Sequence, residues 1–197
     1  MTSAKKTMTA RFSRTKKRGF TLIEILVVIA IVAILLLVAT PSMARFIADW
    51  RAKDAANSLI GQLRLARIEA IRHSRPVILC RVDATGDACN TSTSAPFEWK
   101  DGWLLFVDNN NNGAFNEAQG DKLLKKQGPL LGLEEMRKNQ AGALVFYPTG
   151  IMRLSNGTSR FSIASSYQED GQSAIQNYYC IGSTGRVRKL APNITAC

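Results

Sequence analysis

From Phe20 to Thr40 the chain reads FTLIEILVVIAIVAILLLVAT, 21 residues with a single charge, Glu24. As a helix rising about 1.5 Å per residue, this run spans about 31 Å, the depth of a bilayer hydrocarbon core. The apolar region of a secretory signal is shorter, about 7–15 residues, and a small-residue cleavage site follows it. A membrane span is therefore expected. Its direction follows from the flank: residues 1–19 hold seven basic residues and no acid, and such a flank stays on the cytoplasmic side. The remainder is expected on the far side.

The charge of the whole chain has to be read by region. A formal +11 and a pI near 9.9 point toward a polyanionic partner. Residues 20–170, however, hold sixteen basic side chains against fifteen acidic, so that stretch is nearly neutral. Residues 171–197 hold Arg186, Arg188 and Lys189 and no acid. The excess lies in the leader and close to the C-terminus. With 46% hydrophobic and 21% charged residues, the 197-residue chain suits one globular domain with an appendage and excludes a disordered or polytopic protein.

Glu24 is out of place in its run. A carboxylate at bilayer depth costs about 2.5–3.5 kcal/mol on insertion scales, which marks a functional position unless it snorkels to the headgroups. The segment KKRGFTLIEILVVIAIVAIL, Lys16 to Leu35, resembles the leader and first helix of type IV pilins and type II secretion pseudopilins. That resemblance implies cleavage after Gly19 by a prepilin peptidase and N-methylation of Phe20. It also implies that Glu24 pairs with the free amine of a neighbouring pilin during filament assembly. A buried carboxylate is tolerable when a cation meets it in the same apolar layer. Pro41 stands where many pilins kink this helix. The implied location is the inner membrane, crossed once with the head in the periplasm, and then a pilus on the cell surface.

From Ser42 the pattern turns amphipathic. Leu59, Leu63, Ala66 and Ala70 recur at helical spacing, Ile60, Ile68 and Ile71 widen the stripe, and Arg51, Arg64, Arg67, Arg72 and Arg75 fall mainly on the other side, read as a solvated face. Pro76 ends the helix. The stretch LRLARIEAIRHSRPVILC, Leu63 to Cys80, resembles the GspH/FimT family of minor pilins and pseudopilins, in which such a helix leads into a first strand. Further strands are expected at Val77–Val82, Trp103–Val107, Leu144–Tyr147, Phe161–Ala164 and Tyr178–Ile181, each bounded by turn residues. The expected fold is α+β: a leader over 1–19, a transmembrane half-helix over 20–41, an amphipathic half over 42–75, and an antiparallel β-rich head over 76–197.

Three features have ordinary readings. Asp108, Asn110, Asn112 and Gly113 occupy EF-hand-like positions, but Gln119 stands where the bidentate carboxylate belongs. An Asx-rich connection is therefore preferred to a calcium site. Cys80, Cys89, Cys180 and Cys197 allow three pairings, and in an oxidising compartment short-range closure favours Cys80–Cys89 with Cys180–Cys197. His73 is the only histidine and lies at a helix end without a patterned nucleophile or carboxylate pair, so no enzyme, metal site or cofactor is expected.

The C-terminal segment Gly182-Ser-Thr-Gly185-Arg186-Val187-Arg188-Lys189 is the basic exception in the body of the chain. With Val187 turned inward in an extended strand, Arg186 and Arg188 share one face. Guanidinium forks grip two phosphate oxygens at once, and backbone amides beside Ser183 and Thr184 add contacts. Gly185, Arg186 and Arg188 resemble the GRxR motif of FimT-type members of the family, which implies DNA binding in natural transformation. Lys189 extends the cluster by adjacency. Double-stranded DNA is the expected partner, beside the other pilins of the filament and the prepilin peptidase. The competing reading is a structural subunit of type II secretion, or of pilus priming, that binds no DNA.

Overall fold

The computed structural model describes residues 19–154, 157–167, 176–191, 194 and 196–197, with no side-chain description at 38–41. The leader over 1–18 and the kink expected at Pro41 lie outside it. The chain divides into two compact units, the first ending at Pro41 and the second Ser42–Cys197. One helix, α1 (Leu22–His73), runs through the boundary.

In the first unit, α1 begins with a reciprocal cap. The Thr21 backbone amide donates to Glu24 Oε2 at 3.5 Å, and the Glu24 amide donates to Thr21 Oγ1 at 3.3 Å. This is the S/T-x-x-E capping box, which satisfies two of the donors a helix start leaves open. The apolar side chains from Leu22 to Leu37 are exposed. Among the described residues, no single helix is by itself long and apolar enough to cross a membrane; the stretches Leu22–Leu37 and Ser42–His73 meet that measure only jointly.

Among the described residues of the second unit, eight strands make two antiparallel four-stranded sheets. The first has the order β3 (Lys122–Gln127), β2 (Trp103–Val107), β1 (Val77–Arg81), β5 (Leu144–Phe146). The second runs β4 (Leu133–Lys138), β6 (Thr158–Ser165), β7 (Gln176–Gly182), β8 (Val187–Lys189). Register explains the burial. Val77 opposes Val107 and Phe146, and Leu79 opposes Leu105 and Leu144, so one face of the first sheet is continuous hydrocarbon. It shares a core with Phe161, Ile163, Tyr179 and Ile181 of the second sheet and with α1. The reverse face of the first sheet carries Ile78, Cys80, Leu104 and Phe106, which form a smaller cluster with Cys89 and Phe115 from the loops above it.

Helix α1 contributes Ala52, Ala55, Ala56, Leu59, Leu63, Ala66 and Ala70 to the shared core. Four of the five alanines are at most 1% exposed, so the helix backbone lies close against the sheets. Buried Gln62 accepts a 2.7 Å hydrogen bond from Trp103 Nε1, a polar tie within that contact. Two expectations about α1 are corrected. Ile68 and Ile71 are 60% and 51% exposed and do not widen the buried stripe; Ile68 sits about 140° round the helix from Leu63, at 100° per residue. The helix also ends at His73 rather than Arg75, because Ser74 adopts φ 51°, a left-handed residue that closes the last turn.

Candidate functional site

Two disulfides frame the second unit, Cys80–Cys89 and Cys180–Cys197. The first fixes the loop over the smaller cluster to β1. The second draws the last residue onto the outward face of β7, since Cys180 points away from the shared core.

On that face the register brings the basic residues together. Arg160 of β6, Cys180 of β7 and Arg188 of β8 are directly opposed across the sheet. One step along, Thr158 opposes Gly182, and the Gly182 amide donates to the Arg186 carbonyl at 3.0 Å. Opposed residues in an antiparallel sheet share a face, so Arg160, Arg186 and Arg188 all stand on the outward side. Gly182 has no side chain in the middle of its row, which leaves a shallow groove of about 390 Å³ lined by Thr158, Gly182, Arg186 and Arg188 among others. Arg186 and Arg188 are exposed, and among the described residues no acidic side chain lines the groove. Arg160 is half-buried, its guanidinium 5.6 Å from the Tyr178 ring, a cation–π contact that steadies it.

Lys189 departs from the expected cluster. Alternation along β8 turns it to the side of Val187, where it opposes Tyr179. It is exposed at the sheet edge and does not share the face of Arg186 and Arg188. Gly185 meets a structural requirement. Its φ is +77°, and a Cβ there would stand 2.7 Å from Phe146 Cζ. Only glycine combines that backbone with that approach to the core.

A second groove, about 670 Å³, lies on the other side of Arg186. Arg64, Arg67 and Ile68 of α1 wall it opposite Thr184, Gly185, Arg186 and Val187. Arg67 Nη1 donates to the Thr184 carbonyl at 3.1 Å. The helix periodicity places these arginines on a solvated face, and both are exposed; the arrival of a turn more than a hundred residues later is a tertiary fact that no spacing reveals.

The Asx-rich connection is closed by its own backbone. Buried Asp108 accepts from the Asn112 and Gly113 amides at 3.2 and 3.0 Å, and buried Asp121 from Asn109 and Asn116 at 3.0 and 2.9 Å. Gln119 Oε1 accepts from the Asn110 and Asn112 side-chain amides. Among the described residues no group of three or more His, Cys, Asp or Glu side chains could hold a metal. His73 Nε2 lies 3.1 Å from Glu69, one helical turn back.

Comparison with known proteins agrees with this architecture. The family model described as type II transport protein GspH matches residues 55–185, well over half of the chain. The prokaryotic N-terminal methylation motif matches residues 14–40. The crystal structure of the type IV minor pilin FimU of Pseudomonas aeruginosa is similar at 16% identity and a TM-score of 0.51, over 76% of this chain and 95% of that one. The minor pseudopilin EpsH of the Vibrio cholerae type 2 secretion system matches at 19% identity and a TM-score of 0.44, over 73% and 99%. No curated protein sequence matches the chain. The FimU likeness gives the fold: a long N-terminal helix followed by antiparallel sheets. The N-terminal motif implies a membrane-anchored precursor, a prepilin peptidase that processes it, and other pilins as neighbours. The chain belongs to the GspH family, as a structural, non-enzymatic minor pilin or pseudopilin.

Proposed function

We propose that this subunit is a minor pilin of the type IV pilus that binds double-stranded DNA without sequence preference, for uptake in natural transformation. The observation that carries the reading is the pair Arg186 and Arg188, exposed on one face beside a groove with no acid among the described residues that line it. Two residues along a strand are about 6.7 Å apart, so each guanidinium takes its own phosphate, bidentately. Neither groove holds an aromatic side chain, which leaves no platform for stacked bases. Recognition is thus of the backbone, and sequence-indifferent.

In the same reading the leader is cut after Gly19, Phe20 becomes the methylated N-terminus, and Glu24 meets the amine of an adjacent pilin. The Thr21 cap holds Glu24 at the helix start until that partner arrives. Two phosphate contacts make weak binding, so capture depends on several subunits engaging one duplex. A second reading, a pseudopilin of type II secretion without DNA binding, is favoured by the type II transport description of the matching family model.

The test is fluorescence anisotropy on the full chain in nonionic detergent, with two unrelated duplexes across a salt series. Each phosphate contact adds about −0.9 to the log–log salt slope. Arg186→Ala with Arg188→Ala therefore flattens the slope by about 1.8, equally for both duplexes. A wild-type chain silent even at low salt leaves the secretion reading standing.

A further inference from the structure

We propose that Arg64 and Arg67 of α1 form a second phosphate-binding pair, extending the Arg186–Arg188 face into one track for the backbone of a DNA duplex. The proposal rests on the DNA-binding reading above and adds to it the path that the strand follows.

Arginines on an exposed helix face ordinarily sweep through solvent, and ordering one for a ligand costs rotamer entropy. Arg67 has already met much of that cost. Its Nη1 is tied to the Thr184 carbonyl, and it lies across Gly150, where a Cβ would come within 3.2 Å of its Nε. One donor is committed, and a guanidinium has five. Arg64 precedes it by three residues, about 5–6 Å away on the same helix face. Its side chain is exposed and makes no hydrogen bond or ion pair among the described residues.

The groove these two line is closed on its far side by Arg186, which also borders the sheet-face groove. Arg186 is therefore the junction of two basic surfaces that meet at the β7–β8 turn. The second groove, about 670 Å³, holds roughly twenty waters' worth of space. That is too large for one inorganic ion and suits a length of sugar-phosphate chain. Its floor is aliphatic, with Ile60, Leu63 and Val187, and no acid is among the described residues that line it. Apolar flooring lowers the local dielectric, which strengthens arginine–phosphate pairs above it.

The experiment is the same anisotropy series on the full chain in nonionic detergent. Four arginine contacts contribute about −3.6 to the wild-type log–log slope, against about −1.8 for Arg186 and Arg188 alone, and the basic leader over 1–19 adds the same amount to every variant. Arg64→Ala with Arg67→Ala should lower its magnitude by about 2 for both duplexes. Alanine suits a helix, but Arg67 also ties down the turn. Arg64→Ala alone therefore serves as the second variant, with a fall of about 1 expected. The control is Lys53→Ala with Arg72→Ala, equal in charge and off the track, and its slope should stay at wild type. An unchanged slope in the Arg64/Arg67 variants, or an equal fall in the control, overturns the track while the DNA-binding reading survives. A wild-type chain that binds neither duplex overturns both. If the pair governs binding to anionic phospholipid vesicles and not to duplex, the groove is a headgroup site and the proposal falls.

Discussion

At the residue scale, Gly185 shows how a proposed binding motif and a packing constraint coincide. The glycine supplies the turn that aims Arg186, and its missing side chain admits the Phe146 ring. Gly185→Ala should cost about 2–3 kcal/mol, combining a left-handed alanine with a core overlap. Denaturant unfolding measures the loss, and DNA binding should weaken with it although no phosphate contact has been removed. Lys138 makes a different test. It is 5% exposed, with its Nζ donating to the Ala141 carbonyl. Burial, with Arg81 nearby, pushes its pKa down to about 8 from the ordinary 10.5. Below pH 8 the native state carries a buried cation, and the penalty is fully present. Between pH 8 and 10.5 the folded chain sheds a proton that the unfolded chain keeps, so stability rises with pH. Lys138→Met should therefore stabilise the protein by about 1–3 kcal/mol at pH 7, and by much less at pH 10. Urea unfolding at the two pH values checks it, and an equal gain at both would exclude the titration. Nothing in the sequence marks this lysine, because its burial comes from neighbours distant in the chain.

At the element scale, legibility followed the hydrophobic pattern. Strands β1, β2, β5, β6 and β7 all stand where apolar runs are bounded by turn residues. β3 reads KLLKKQ and has no buried residue, so an edge strand covered in lysine left no periodic signal. In β4, LEEMRK, Lys138 occupies a buried position that the pattern reads as polar. β8 is three residues long and is held by its ladder with β7. On α1 the small residues were the better guide, because the helix seats itself on alanines and leaves the bulkier isoleucines outside. A paired comparison follows: Leu63→Ala should cost about 2–5 kcal/mol, while Ile68→Ala should stay within about 0.5 kcal/mol. Thermal unfolding of the two variants under one set of conditions measures the contrast, and comparable losses would mean that the buried stripe is wider than described.

At the scale of the whole molecule, charge and core are distributed differently. Residues 20–197 hold nineteen basic against fifteen acidic side chains, a modest +4. Whatever affinity this stretch has for a polyanion must therefore come from where its arginines stand rather than from its total charge. The shared core begins at Ala52, and both of its sheets lie within Ser42–Cys197. The described apolar side chains from Phe20 to Leu37 are exposed hydrocarbon, surface that water penalises and that lipid or neighbouring helices cover. If that division is physical, the stretch Ser42–Cys197 should fold without the first unit. It should melt within a few degrees of the full chain in the same detergent, because the shared core lies wholly within it, and should remain in solution when the detergent is removed. Calorimetry of both forms decides the matter. A fall well beyond that would mean that residues before Ser42 brace the β-rich head, so that anchoring and folding are coupled. An unchanged transition makes the head an independent body, whose arginine face is set by its own packing.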